Sequence, residues 1–218
     1  MAADVLVVMA RQPTPGTVKT RLARHLGAAA ACALYRAFLA DIATTCGSDA
    51  WSVVWAVTPP QADLRPIVGA GARQLAQRGV GLGARMRHAF ADLFAAGAAR
   101  VVMIGADAPH LGAARIGAAF AALATQDVVF APTRDGGYCL VGLAAPHDVF
   151  SGVAMGSAAV FGETMARVAA LRLRAGVQAT TFDVDEPGDV ETLRALLAAG
   201  RVRLPATAAA LRGEGASR

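Results

Sequence analysis

Apolar positions along the chain fall into two alternating patterns. Short runs rich in β-branched residues, "DVLVVM" (4–9), "WSVVWAV" (51–57), "RVVMIG" (100–105) and "DVVFAP" (127–132), each end in turn signals and predict strands. Between them, residues 28–46, 82–97 and 113–124 carry helical spacing; Leu34, Phe38 and Ile42 stand four apart and share one face. Strand and helix in alternation predict an α/β fold, with a mostly parallel sheet and helices on both faces. Beyond residue 132 the rhythm changes. "GGYCLVGL" (136–143) predicts a strand close behind its predecessor, 157–175 a helix, "QATTFDVD" (178–185) a late strand, and 188–199 a last long helix opened by Pro187. After Gly200 no convincing core face is visible, and the last few residues are expected to be loose. No repeat or linker divides the chain, so residues 1–200 are expected to form one domain and 201–218 a C-terminal extension.

Composition narrows the class. The 218 residues suffice for a full core in a single domain. An apolar fraction of 55% and a mean hydropathy of +0.44 reflect abundant alanine. Charges such as Arg36 and Asp41 interrupt every long apolar run, which excludes a membrane span by pattern. Asp4 stands where a signal peptide wants positive charge, so a cytoplasmic protein is expected. Cys32, Cys46 and Cys139 are odd in number and far apart, which points to buried free thiols. His25, His88, His110 and His147 form no metal-ligand spacing. The net charge of +5 suits an anionic partner. The arginines are nevertheless dispersed, with few aromatics beside them, so a small phosphorylated ligand fits better than nucleic acid.

Candidate chemistry gathers at predicted strand ends, where ligands bind in open α/β sheets. The first strand runs into "ARQPTPGTVKTRL", in which Lys19 is the chain's single lysine. Gly16 lets backbone approach a ligand, and Lys19, Thr20 and Arg21 open a helix whose N-terminus favours an anion. The stretch reads equally well as a Pro-Gly turn before an exposed basic helix start. Val18 before the lysine excludes a Walker A loop. "IGADAPHL" places Asp107 past a strand end, as a ligand for a hard cation or as part of a turn onto Pro109. In "FDVDEPGDV", Asp183 and Asp185 alternate and are expected to face one side of a strand, although Asp185 to Pro187 also makes a good helix start. "TRDGGY" reads as a tight hairpin, as a glycine-lined floor with Asp135 and Tyr138 offering hydrogen bonds, or as both. "GVGLGA" (79–84) matches a dinucleotide fingerprint, but "ARQLAQR" before it is a poor buried strand.

Taken together, "RQPTPGTVKTRLARHLG", "GLGARM", "IGADAPHL", "APTRDGGYCLVGL" and "DVDEPGDV" resemble, in that order and over roughly residues 5–195, a family of small GT-A-type transferases. These are described as nucleotide-diphospho-sugar or glycosyltransferase-like proteins, some linked to arsenosugar biosynthesis, with nucleotidyltransferases among their relatives. The resemblance implies a single three-layer αβα Rossmann-like GT-A domain. It implies that Arg11, Lys19 and Arg21, with Gly16, contact nucleotide phosphates. Asp107 and Asp185, with Asp183 the weaker choice, would hold Mg²⁺ or Mn²⁺, and Asp135, Gly136, Gly137 and Tyr138 would border an acceptor or sugar pocket. Asp135 is the candidate catalytic base. The chain departs from the family pattern at Ala84, where relatives often carry an acidic residue, and in "VAMGSAAVFGETM", where a Trp-containing segment is expected.

The implied activity is metal-dependent transfer from a nucleotide-diphospho-sugar donor to a small acceptor. The alternative is nucleotidyl transfer from a nucleoside triphosphate to a phosphorylated acceptor with release of pyrophosphate. More distant are a nucleotide-binding protein without turnover and a dinucleotide-dependent oxidoreductase. Exposed apolar surface could support a homodimer, and no motif locates its interface.

Overall fold

The computed structural model describes residues 3–213. The chain begins with β1 (Asp4–Arg11), two consecutive helices α1 (Thr20–Leu26) and α2 (Ala28–Thr45), and β2 (Ser52–Thr58). A short α3 (Arg65–Val68), β3 (Arg73–Ala76), α4 (Leu82–Ala95), β4 (Arg100–Gly105) and α5 (Gly112–Ala122) follow. Next come β5 (Val128–Pro132), β6 (Tyr138–Leu143), α6 (Val160–Ala170), β7 (Ala175–Val177), α7 (Pro187–Ala198) and α8 (Pro205–Leu211). The seven strands form one sheet in the order β3-β2-β1-β4-β6-β5-β7. Only β6 runs against the others, because it returns from β5 as a hairpin and inserts between β4 and β5.

The apolar strand runs follow from burial on both faces. In β1, Leu6 and Val8 pack with α2, α5 and α7, whereas Val5 and Val7 pack with α4 and the segment leading into α6. The same division holds in β4, where Val102 and Ile104 face one layer and Val101 and Met103 the other. A strand covered on both sides has no reason to alternate with polar residues. The three-layer αβα arrangement read from the sequence is therefore the observed one.

Four elements differ from the sequence reading. The segment judged a poor strand before "GVGLGA" is β3; it lies at the sheet edge with none of its residues buried, so it needs no continuous apolar run. Residues 178–185 make only an isolated bridge, Thr133 with Thr181, and the regular strand is β7, three residues earlier, so Asp183 and Asp185 do not lie on the strand expected there. Correspondingly the helix expected over 157–175 spans Val160–Ala170. Finally, α8 occupies part of the stretch that shows no core face in the sequence, with Thr207 fully buried. It is held by Asp41 of α2, whose carboxylate accepts from the Ala206 and Thr207 N–H groups at 3.0 and 2.7 Å. The looseness expected of the final residues falls on 214–218, outside the described residues.

A carboxylate buried to 1% exposure and satisfied by helix-end N–H groups is expensive to delete. Asp41→Ala is expected to cost about 2 kcal/mol and to speed amide exchange across α8 more than across the sheet. Thermal denaturation and hydrogen exchange check this.

Candidate functional site

The sheet changes winding direction at β1, with β2 on one side and β4 on the other. Crevices at the carboxyl ends of strands around such a point are the usual ligand sites of this architecture. The last β1–β4 pair is Met9 with Gly105, after which the two chains diverge and open the crevice. Arg11 ends one strand, and Asp107 lies two residues beyond the other.

The loop from Gln12 to Val18 is shaped by its prolines and glycine. Thr17 N–H donates to Thr14 O at 3.0 Å around Pro15 and Gly16, and Gly16 has φ of 81°. Pro followed by a glycine of positive φ is the signature of a type II turn. The turn returns the chain toward the crevice, where Arg11 Nη1 donates to Thr17 O at 3.1 Å. Lys19 then enters α1 from the left-handed region, with φ of 49°. For a lysine this backbone costs on the order of 1 kcal/mol.

That conformation carries the ammonium into the protein. The Lys19 side chain is 2% exposed, and Nζ donates to Val184 O at 2.8 Å and to Asp185 Oδ1 at 3.0 Å, with an ion pair to Asp107 Oδ1. Three contacts match the three donors of an ammonium. Beneath it lie the rings of Phe38 and Tyr35, with Nζ 5.5 and 6.0 Å from their centroids. Burial pulls the Lys19 pKa down, but the Asp107 and Asp185 charges and hydrogen bonds outweigh it and leave the group more basic than usual. Lys19 thus ties the loop after β1 to the loop after β4 and to the segment before α7.

Asp107 and Asp185 remain partly open to solvent, whereas Asp183 is mostly buried. Burial, followed by the charges of Asp107 and Asp185, pushes Asp183 up to about 7. Asp185 also introduces α7. Asp189 accepts from the Asp185 and Glu186 N–H groups at 3.0 and 2.8 Å in a capping box that begins with Glu186, so the helix-start reading and the cluster coexist. Arg21 is exposed and lies 3.6 Å from Glu186.

Two clefts meet here. One, of about 470 Å³, runs from Arg11 past Gln77, Gly81 and Arg85 to Tyr138 and Asp183. The other, about 290 Å³, is lined by Thr17, Lys19, Arg21 and Asp185 among others. Arg11, Tyr35 and Asp107 line both. Of the residues expected to serve phosphate and metal, Arg11, Lys19, Arg21, Asp107, Asp183 and Asp185 therefore line these clefts, whereas Gly16 lines neither. Sequence reading missed Tyr35, whose position next to Leu34 marks it only as a core residue, and Gln77, whose Nε2 donates to Ala10 O and Ala56 O under the cleft.

The "DGGY" turn is the tight hairpin. Asp135 accepts from Thr133 Oγ1 at 2.5 Å and from Gly137 N–H at 3.2 Å, so its carboxylate closes its own turn. Gly136 has φ of 87°, and a Cβ there would overlap the Ala158 carbonyl. The segment that departs from the family pattern thus packs directly on this turn. Asp135 lines a smaller cleft with Asp183 and Asp185, and Tyr138 lines the large one. Beside them His110 stacks on Phe182 at 4.2 Å and shares a hydrogen bond of 2.9 Å with Thr181 Oγ1. Burial, with the Arg115 charge adding to it, lowers His110 to about 4.

Over residues 41–157 the chain matches the family described as "Uncharacterized protein conserved in bacteria (DUF2064)". The chain belongs to this family. It is 32% identical over 180 residues to a phosphoenolpyruvate guanylyltransferase of Sphaerobacter thermophilus, covering 81% of this chain and 86% of that one. Its fold superimposes with a TM-score of 0.90 on a Desulfovibrio desulfuricans G20 protein provisionally described as a nucleotide-diphospho-sugar transferase. The two are 31% identical, with 98% and 95% of the chains covered. A Mycobacterium tuberculosis H37Rv protein, Rv0371c, crystallised with manganese, shares the fold alone at 19% identity and a TM-score of 0.53, with 88% and 98% covered. The DUF2064 chain is an enzyme of the transferase class with the nucleotide-diphospho-sugar transferase fold, which displaces the oxidoreductase and non-catalytic alternatives. No helix among its described residues is long and apolar enough to cross a membrane.

Asp183 and His110 pull stability in opposite directions with pH. Asp183 lies above its ordinary 3.8 in the folded chain, so its contribution is present at low pH and lost as pH rises from about 4 through 7. His110 lies below its ordinary 6.5, so its contribution is present above that value and lost as pH falls through about 4. In chelator, the melting temperature of Asp183→Asn should therefore gain on wild type as pH is raised, and that of His110→Gln should gain as pH is lowered. Melting curves that stay parallel to wild type across this range would contradict both assignments.

Proposed function

We propose that the chain is a nucleotidyltransferase, joining a nucleoside triphosphate to a small phosphorylated acceptor with release of pyrophosphate. The observation that carries this reading is the pair of clefts sharing Arg11, Tyr35 and Asp107. The larger is of a size to hold a nucleoside, with apolar walls from Met9, Met86 and Met103. The smaller is bordered by Arg11, Lys19 and Arg21 and suits phosphates. A nucleotide spanning both would set its first phosphate at the shared residues, beside the carboxylate cluster. The guanylyltransferase relative supports phosphorus as the reacting atom and makes GTP with phosphoenolpyruvate the first pair to assay.

In this reading an acceptor phosphate oxygen attacks the α-phosphorus, a new P–O–P link forms, and the bond to the β-phosphate oxygen breaks. The electron pair leaves with pyrophosphate. Arg11 and Arg21 border the cleft where that charge develops. Gly16 shapes the turn that leads the chain back to Lys19. Lys19 serves the phosphates through the carboxylates it orients, since its three donors already have partners. A phosphate monoester is largely ionised near neutral pH and needs no base, so Asp135 acts by fixing the turn under Gly137.

The residues also fit a divalent cation. Asp107, Asp183 and Asp185 offer only oxygen, and after burial it is the charges of Asp107 and Asp185 that add to the rise of Asp183 to about 7. Among the described residues no group of three or more His, Cys, Asp or Glu side chains is arranged to hold a metal ion. A hard cation such as Mg²⁺ or Mn²⁺ would be held here by Asp107 and Asp185 alone, with the rest of its shell from phosphate and water. When bound, such an ion supplies positive charge against the phosphate oxygens.

A second reading, transfer of a sugar from a nucleotide-diphospho-sugar, is favoured by the Desulfovibrio structure. Product analysis separates the two. Nucleotidyl transfer releases pyrophosphate from a nucleoside triphosphate only with a phosphorylated acceptor, and Asp107→Asn should lower kcat/KM by about 100-fold or more, ~2.7 kcal/mol of transition-state stabilisation. Nucleoside diphosphate released from a nucleotide sugar, with no pyrophosphate from any triphosphate, would overturn the first reading in favour of the second.

A further inference from the structure

The hydroxyl of Tyr35 has one half of its hydrogen bonding unspent, at the seam between the two clefts. Its place follows from the way the sheet opens. Gln12 N–H donates to Thr58 O and so faces β2. Backbone groups alternate along a strand, so the Arg11 N–H faces the opposite side, where β4 has already ended at Gly105. That N–H therefore has no ladder partner, and Tyr35 Oη accepts from it at 3.0 Å.

A phenol can accept and donate at once. Accepting from Arg11 fixes where the oxygen sits and leaves its hydrogen to point elsewhere. Among the described residues that hydrogen has no hydrogen-bonded acceptor, although Tyr35 is only 4% exposed and buried polar groups are normally paired. Helix α2 holds the ring from below, and the Lys19 ammonium lies above it. Burial, with the Asp107 charge adding to it, drives the phenol well above its usual pKa, so the hydroxyl keeps its proton throughout the neutral range.

We propose that Tyr35 donates this hydrogen to a non-bridging oxygen of the first phosphate of the bound nucleotide, making it a phosphate-binding residue of the site. The proposal rests on the nucleotide reading above, but not on which bond the enzyme breaks. The contact lies where the two clefts join, with the Arg11 guanidinium and Asp107 as the other shared residues. A neutral donor suits this position. It contributes a directed bond without adding a further full charge to the Lys19–Asp107–Asp185 cluster, whose balance it would otherwise disturb.

Tyr35→Phe tests this, because it keeps the ring under Lys19 and deletes only the oxygen. Isothermal titration would compare wild type and variant with each nucleoside 5′-monophosphate and with the matching nucleoside. The expected result is about five- to fifty-fold weaker binding of the monophosphate, with nucleoside affinity unchanged within about twofold, in line with the worth of one hydrogen bond to a charged acceptor. Equal losses for both ligands, or no loss for either, would overturn the contact and leave Tyr35 a packing residue. If the wild type binds no nucleotide at all, the nucleotide reading itself fails and takes this contact with it. A second measurement needs no variant at the site. The chain has two tyrosines, so 3-fluorotyrosine labelling gives two fluorine signals, Tyr35 and Tyr138. The Tyr35 signal should shift with the monophosphate and not with the nucleoside; equal shifts with both would contradict the proposal.

Discussion

One buried ammonium organises the functional end of this molecule. Lys19, at the end of the loop after β1, sits where three chain segments meet, and its contacts come from the other two: Asp107 after β4, and Val184 and Asp185 before α7. Burying a charge is costly unless it is paired, and here the pairing is complete. The same contacts hold two carboxylates side by side at the mouth of a cleft, which like charges would otherwise resist. The left-handed backbone of Lys19 is the local strain that this arrangement offsets. An arginine would not substitute, because a planar fork cannot spread three donors around one point as an ammonium does.

From that centre the rest of the site is ordered by the sheet. Divergence of β1 and β4 opens the crevice and leaves the Arg11 N–H to find Tyr35. The β5–β6 hairpin, closed by Asp135 and covered by Ala158, forms the far border. Cations border the smaller cleft, and apolar side chains line much of the larger. A transferase acting on nucleotides needs this division, since one end of its substrate is aromatic and the other is charged.

Much of this was legible in the sequence because the relevant signals are local. The strands β1, β2, β4 and β5 declare themselves as uninterrupted apolar runs, since both of their faces are covered. Edge strand β3 does not, because an exposed edge needs no such run. Helix α8 escaped notice for a related reason: a key part of its docking is a polar contact from Asp41, 164 residues before its first residue at Pro205, and no periodicity encodes that. At the site, Lys19 and Asp107 were recognisable by type and by position at strand ends, Asp185 by type although the strand expected to carry it is not formed, and Arg11 through the resemblance; the four line adjoining clefts. That the lysine is spent on the carboxylates was not legible, since it depends on a backbone angle and on a carbonyl 165 residues away. Tyr35 was hidden because helical spacing registers its ring and not its hydroxyl.

Lys19 and Asp107 are energetically coupled across the loops they join. A double-mutant cycle of Lys19→Met and Asp107→Asn, read by denaturant unfolding in chelator, measures that coupling directly. Each single change is expected to be destabilising, and the double variant to be more stable than their sum requires, by about 1–3 kcal/mol. Strict additivity would mean that the two residues do not depend on each other, and that the ammonium is not what holds the carboxylates in place.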